Sequence, residues 1–115
     1  MSTVKTGNQA EQAAAEYLMR QGYDVLERNY RRPHCEIDIV ACQGDIVYFV
    51  EVKYRATDHF GSGFDYIAGQ KLRHMERAAM TWVRERQWRG GYTLSAIEVG
   101  GPGFEVLGFI ESIYT

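Results

Sequence analysis

No stretch of this chain is apolar for long enough to span a bilayer, and the opening Met1-Ser2-Thr3-Val4-Lys5 lacks the apolar core of a secretory leader. The expected address is the cytoplasm, with no membrane partner. Cysteine and proline are scarce, at two residues each. Cys35 and Cys42 stand an odd number of positions apart on one expected strand and so on opposite faces, which argues against a mutual disulfide or a shared zinc site and leaves two reduced thiols. An excess of positive charge is missing too: the net charge is −2, not the basic balance of a domain that is cationic throughout. His34, His59 and His74 have no ligand spacing, and no Ser-His-Asp or Cys-His arrangement can be built from them. The glycines at 61 and 63 lack the strand-loop-helix setting of a nucleotide phosphate loop. What remains, at 115 residues and 45% hydrophobic, is one ordinary globular domain covering 1–115, with no linker and no repeat.

What the chain does have is a hairpin carrying acid where packing would want none. Glu36-Ile37-Asp38-Ile39-Val40 is followed by a break at Gly44-Asp45 and then by Val47-Tyr48-Phe49-Val50-Glu51-Val52-Lys53-Tyr54-Arg55. Period-two geometry sends Val47, Phe49, Glu51 and Lys53 to one face and Ile46, Tyr48, Val50 and Val52 to the other, so neither face is a plain solvent face. A buried charge needs a partner or a metal. If the loop is the two residues Gly44-Asp45, with Gly first as a type II′ turn prefers, Gln43 faces Ile46, Asp38 faces Glu51 and Glu36 faces Lys53. Directly opposed side chains lie close enough for two carboxylates to share one divalent cation. A three-residue loop would instead put Asp38 across from Val50, on the face opposite Glu51. Carboxylates and an ammonium on adjacent strands are the raw material of a metal-dependent phosphodiesterase site. Arg28, Arg31, Arg32 and His34 lead into it, Lys53 and Arg55 end it, and Lys71, Arg73, His74 and Arg77 follow, as phosphate-backbone contact beside a metal would require.

The remaining elements follow from periodicity and punctuation. Asn8 with Glu11 three residues on has capping-box spacing, and Ala10, Ala13, Ala14, Tyr17 and Leu18 recur at helical intervals until Gly22. Tyr23 to Tyr30 reads as a strand ended by Pro33. Gly61-Ser62-Gly63 reads as a loop, and from about Tyr66 to Trp88 the positions Leu72, Met75, Ala79, Trp82 and Val83 give a long second helix, with Trp82 and Trp88 as core or interface. Tyr92 to Val99 and Phe104 to Ile110 are two more strands joined by Gly100-Gly101-Pro102-Gly103. The expected order is α-β-β-β-α-β-β, an α/β sheet flanked by helices.

Gly7 with Glu11 and Ala14, Glu36-Ile37-Asp38, Phe49-Val50-Glu51-Val52-Lys53 with Arg55, Phe60-Gly61, and Lys71 before a long helix resemble the YraN-like family of small bacterial proteins, predicted endonucleases of the PD-(D/E)xK superfamily. The resemblance covers nearly the whole chain. It implies a restriction-endonuclease-like three-layer core related to Holliday-junction resolvases, with Mg²⁺ or Mn²⁺ as cofactor and DNA as partner. Carried over residue by residue, it implies that Asp38 and Glu51 bind the cation with the carbonyl of Val52, that Lys53 sits beside the attacking water, and that Glu11 is a further metal-site acid. From the residues alone, Glu11 reads equally as an acid serving the helix cap and dipole. Arg31, Arg32 and Arg55, with Gln70 and Lys71 at the start of the second helix, are the candidate nucleic-acid contacts. Two departures stand out: Cys35 replaces the usual Gly before Glu36, and Thr93-Leu94-Ser95 replaces an Arg-Phe-Asp unit.

Two readings of function follow. One is a metal-dependent endonuclease acting on DNA, including branched or structured DNA; the other is a nucleic-acid-binding or protein-interaction module that keeps the nuclease fold without turnover. The pair Asp38 and Glu51 with Lys53 favours the first, because facing carboxylates without a metal cost stability. A homodimer is the natural way for so small a protein to reach two strands.

Overall fold

A computed structural model describes residues 3–55 and 69–114 of the chain. The expected loop Gly61-Ser62-Gly63, together with His59, Phe60 and the start of the second helix at Tyr66, lies outside the described residues. The elements are α1 (Thr3–Arg20), β1 (Asp24–Arg32), β2 (Cys35–Gln43), β3 (Ile46–Arg55), α2 (Gly69–Arg86), β4 (Gly91–Gly100) and β5 (Glu105–Ile110), in the order the sequence predicts. The strands form one sheet, β1-β2-β3-β4-β5, antiparallel except for the parallel pair β3–β4. A parallel pair needs a long crossover, and the connection between β3 and β4 carries α2.

The helices cover opposite faces. Ala10, Ala14 and Leu18 of α1 pack on Ile39, Ala41, Tyr48, Val50, Ile97 and Val99. Met75, Ala78, Ala79 and Trp82 of α2 pack on Tyr30, Ile37, Val40, Val47, Phe49 and Leu94. Each fully buried aliphatic or aromatic side chain contributes about 1.5–3 kcal/mol of transfer free energy, so these two layers clamp the sheet between them. Polar ties fix α2 in azimuth: Trp82 Nε1 and Arg86 Nη2 donate to Glu27, and Tyr30 Oη and Arg32 donate to Glu85.

Helix α1 begins five residues before Asn8, so Asn8 is not its cap. Propagation adds a hydrogen bond for each residue fixed, and neither Gly7 nor Asn8 blocks it. At the other end the expectation holds: Gly22, with φ +92°, lets the Tyr23 amide donate back to Leu18 O at 2.9 Å.

The hairpin register is the one the two-residue turn requires. Gly44 has φ +63°, and Gln43 faces Ile46, Ala41 faces Tyr48 and Ile39 faces Val50. Beyond Ile39–Val50 the β2–β3 pairing stops, although β2 continues to pair with β1 out to Cys35 and β3 with β4 out to Arg55. The sheet splits there, and the split opens the site.

A second irregularity lies directly opposite. Asn29, with φ +55°, stands between the pairs Arg28–Ile39 and Tyr30–Ile37, across from Asp38. On either side of this position the alternation reverses: Ile39 and Ala41 face α1, whereas Ile37 and Cys35 face α2. Cys42 also packs on the α2 side, so the two thiols share a face, contrary to strict alternation, because the strand changes phase between them.

An acidic cleft in a split sheet

Where β2 parts from β3, the Asp38 carboxylate takes the place of a backbone acceptor. Hydrogen-bonded pairs alternate outward from the turn, so the next after Ile39–Val50 would join Val52 to Ile37. Instead the Val52 amide donates to Asp38 Oδ2 at 2.8 Å. The side chain thereby holds the opening apart and is drawn into it. Burial, and then the negative charge of Glu51, push the Asp38 carboxyl up to about 7, against the opposing pull of the Val52 amide and Lys71. Asp38 and Glu51 are therefore close electrostatic neighbours across an opening, not a directly paired ladder couple.

The cleft has a volume of about 410 Å³ and is lined by Asn8, Glu11, Glu36, Asp38, Lys53 and Tyr54 among others. Glu11 enters from α1 and is only 6% exposed. The capping role that its position in α1 suggests is not what it performs: Arg28 Nε and Asn29 Nδ2 both donate to its Oε1, each at 2.9 Å. In a regular strand neighbouring side chains point to opposite faces. The left-handed backbone at Asn29 lets both reach one oxygen. From the sequence Arg28 is expected among the positive charges flanking the hairpin but not as a partner of Glu11, and Asn29 is not expected in the site, although an Asn inside a strand-like run is a common mark of a left-handed residue.

Glu51, also 6% exposed, points to the α2 side, where Lys71 Nζ lies 3.1 Å from its Oε2. Lys71 thus sits at the carboxylates themselves. Gln70 is exposed on the first turn of α2. Arg31 is the most open of the basic candidates, with 70% of its side chain exposed and Glu36 at 3.4 Å. Arg32 is held by Glu85 and stacks over Tyr30, its guanidinium 4.3 Å from the ring centroid. Arg55 is turned to Glu98, at 3.6 Å.

Among the described residues no three His, Cys, Asp or Glu side chains converge as a ready-made metal cage. Two close carboxylates in a cleft suit Mg²⁺ nonetheless, because it keeps several waters and is commonly held by one or two carboxylates and a substrate phosphate. Burial and the Glu51 charge raise Asp38, and a divalent cation would offset both.

The departure at Thr93-Leu94-Ser95 falls elsewhere. Ser95 pairs with Val50, before the split, and its hydroxyl donates to Glu111 O at 2.5 Å. Thr93 Oγ1 bonds Ser112 Oγ at 2.8 Å, and Leu94 O accepts from the Ile113 amide at 2.7 Å. These residues fasten the segment after β5 along β4. Cys35 packs on the α2 side of the sheet and leaves the cleft lining unchanged. No helix among the described residues is long and apolar enough to cross a membrane.

Comparison with known proteins gives one consistent result. The profile of Uncharacterised protein family UPF0102 matches residues 10–105. A UPF0102 protein of Vibrio parahaemolyticus is 41% identical over 81 residues, 70% of this chain and 67% of the relative. One from Chlorobium chlorochromatii is 45% identical over 82 residues, 71% of this chain and 64% of the relative. One from Caldicellulosiruptor saccharolyticus is 36% identical over 100 residues, 86% of this chain and 85% of the relative. Against the first two, the matched segment spans about two thirds of the relative's length.

Proposed function

The chain belongs to the uncharacterised protein family UPF0102, the YraN-like group, and on that premise we propose that it is a divalent-cation-dependent endonuclease hydrolysing phosphodiester bonds of DNA. The observation that carries this reading is the carboxylate pair of half-buried Asp38 and buried Glu51 at the split between β2 and β3, with Lys53 on the wall of the cleft that Asp38 lines. A structural role explains them poorly: Lys71 offsets Glu51, yet burial and the Glu51 charge still hold the Asp38 carboxyl well above its ordinary value.

Asp38, Glu51 and the Val52 carbonyl would hold Mg²⁺ or Mn²⁺, with Glu11 supplying a further carboxylate from α1. When bound, the cation supplies a Lewis acid and lowers the pKa of its water. The chain's own residues do the rest. Lys53 orients the attacking water and meets the negative charge that develops on the phosphoryl oxygens. Arg28 and Asn29 fix Glu11, which lines the cleft, through its Oε1. Arg31 stands at the rim, where it meets the phosphate backbone without carrying sequence information.

Incubation of the purified protein with four-way junction, flap, single-stranded and linear duplex DNA, with Mg²⁺, Mn²⁺ or EDTA, tests the proposal. Cation-dependent cleavage of at least one of these, abolished in Asp38→Asn, is the expected result. Binding without cleavage of any of them would make the chain a nucleic-acid-binding module on a nuclease fold. No binding would remove both readings.

A further inference from the structure

A second cavity, of about 350 Å³, lies on the other side of Glu36, between the β1–β2 turn and α2. It shares Arg31 and Glu36 with the acidic cleft, and its walls carry Arg32, His34, Lys71 and His74. The formal charges nearly cancel while the ion pairs are closed: Arg31 is matched by Glu36, Arg32 by Glu85 and Lys71 by Glu51. One of these pairs differs in kind. Glu51 acts electrostatically on Asp38, which lines the acidic cleft, and Lys71 lines the basic cavity, so this ion pair is the link between them.

We propose that Lys71 is an exchangeable charge: it neutralises Glu51 while the acidic cleft is empty, and when a divalent cation takes that carboxylate the ammonium moves into the adjoining cavity and binds a phosphate of the substrate strand. This rests on the cation site proposed above. A cation and an ammonium cannot both be best placed on one buried carboxylate, and the ammonium is the mobile partner, a compact charge on a flexible four-carbon stem at the third position of α2. With 34% of its side chain exposed, against 8% for Glu51, Lys71 has somewhere to go and Glu51 has not. Once it moves, the cavity holds an uncompensated positive charge beside His34 and His74, which have no hydrogen-bond or ion-pair partner among the described residues. Cation and phosphate then favour each other, and linkage makes the effect equal in both directions. A strand whose scissile phosphate is in the cleft would carry its neighbouring phosphate across the Arg31–Glu36 rim.

The test uses the whole chain as wild type, Lys71→Met and Lys71→Gln, the last keeping a donor for Glu51 without its charge. Mn²⁺ binding is read by electron paramagnetic resonance without nucleic acid. Binding of a short fluorescent oligodeoxynucleotide is read by anisotropy with and without Mn²⁺, its integrity checked on a gel. Both variants should bind Mn²⁺ about threefold tighter or more, since a competing charge is gone. Mn²⁺ should tighten oligonucleotide binding about fivefold or more in the wild type, within the usual range of coupling, and hardly at all in the variants. Wild type that binds Mn²⁺ while the variants bind it no tighter overturns the exchange and leaves the cation site standing. So does coupling that persists in the variants. Wild type that binds no Mn²⁺ removes the cation site and the exchange with it.

Discussion

The Val52 amide donates to the Asp38 carboxylate at 2.8 Å, at the point where β2 and β3 cease to pair. One hydrogen bond therefore ends a ladder, satisfies a backbone donor that the split would have stranded, and anchors an acid beside Glu51.

Stability should record the strain of that acid pair. With its carboxyl raised from 3.8 to about 7, Asp38 keeps its proton in the folded state across a window in which the unfolded chain has lost it, so the cation-free fold loses stability as pH rises from 4 to 7. Asp38→Asn keeps an acceptor for Val52 and removes the charge. It should be more stable than wild type at pH 8 in EDTA by about 1–3 kcal/mol, several degrees in Tm. Millimolar Mg²⁺ should raise the Tm of wild type and leave the variant unmoved. Equal Mg²⁺ shifts in both proteins would count against the site.

Glu11 gives a second test, because its two donors differ in what else they do. Asn29→Gly relaxes the left-handed backbone and deletes one donor, so the fold should hold while Mn²⁺ affinity falls about tenfold. Asn29→Val deletes the same donor and cannot adopt φ +55° cheaply, so it should also cost about 1–3 kcal/mol of stability in urea. Identical urea midpoints for the two would show that the backbone there is not under constraint.

Catalysis and binding should come apart at Lys53. Lys53→Ala keeps both carboxylates, so cation and DNA binding should persist while single-turnover cleavage falls about a hundredfold or more. Parallel losses of binding and cleavage would assign Lys53 to substrate affinity instead.

The two arginines at the end of β1 should behave differently despite being neighbours. Arg31→Ala should weaken DNA binding and reduce the slope of log affinity against log salt by about 0.9, with Tm unchanged, since its side chain is open. Arg32→Ala should lower Tm, because it releases Glu85 and uncovers Tyr30. A Tm loss in Arg31→Ala would place it among the structural ion pairs.

Much of this arrangement was legible in the chain. A Gly-first two-residue turn fixes the β2–β3 register, and period two then places Glu51 with Val47 and Phe49 on the α2 side. What could not be read is where regularity stops. Strict alternation put Cys35 and Cys42 on opposite faces and made Asp38 a ladder partner of Glu51, and both expectations failed at the same place. A side chain there substitutes for a carbonyl, and the residue across from it turns left-handed. Capping spacing misassigned the start of α1 for a related reason: Glu11 satisfies Arg28 and Asn29 on a strand distant in sequence, so local signals cannot report its partners. The Lys71–Glu51 contact depends on how the crossover delivers α2 to the sheet, which no local pattern encodes.

The single parallel pair predicts an order of assembly. Strands β1 to β3 are joined by tight turns, so Asp38, Glu51 and the partners of Glu11 come together through contacts near in sequence. Ile46 to Arg55 must then wait for Gly91 to Gly100, across the whole crossover, before β4 can dock. Closing that span carries a larger entropic cost, and contacts of this kind slow folding. A meander formed before β4 docks would hold its acids without their ammonium. Divalent cations present during refolding should therefore speed the rate-limiting step by shielding the meander, and Lys71→Met should make the refolding rate more sensitive to them.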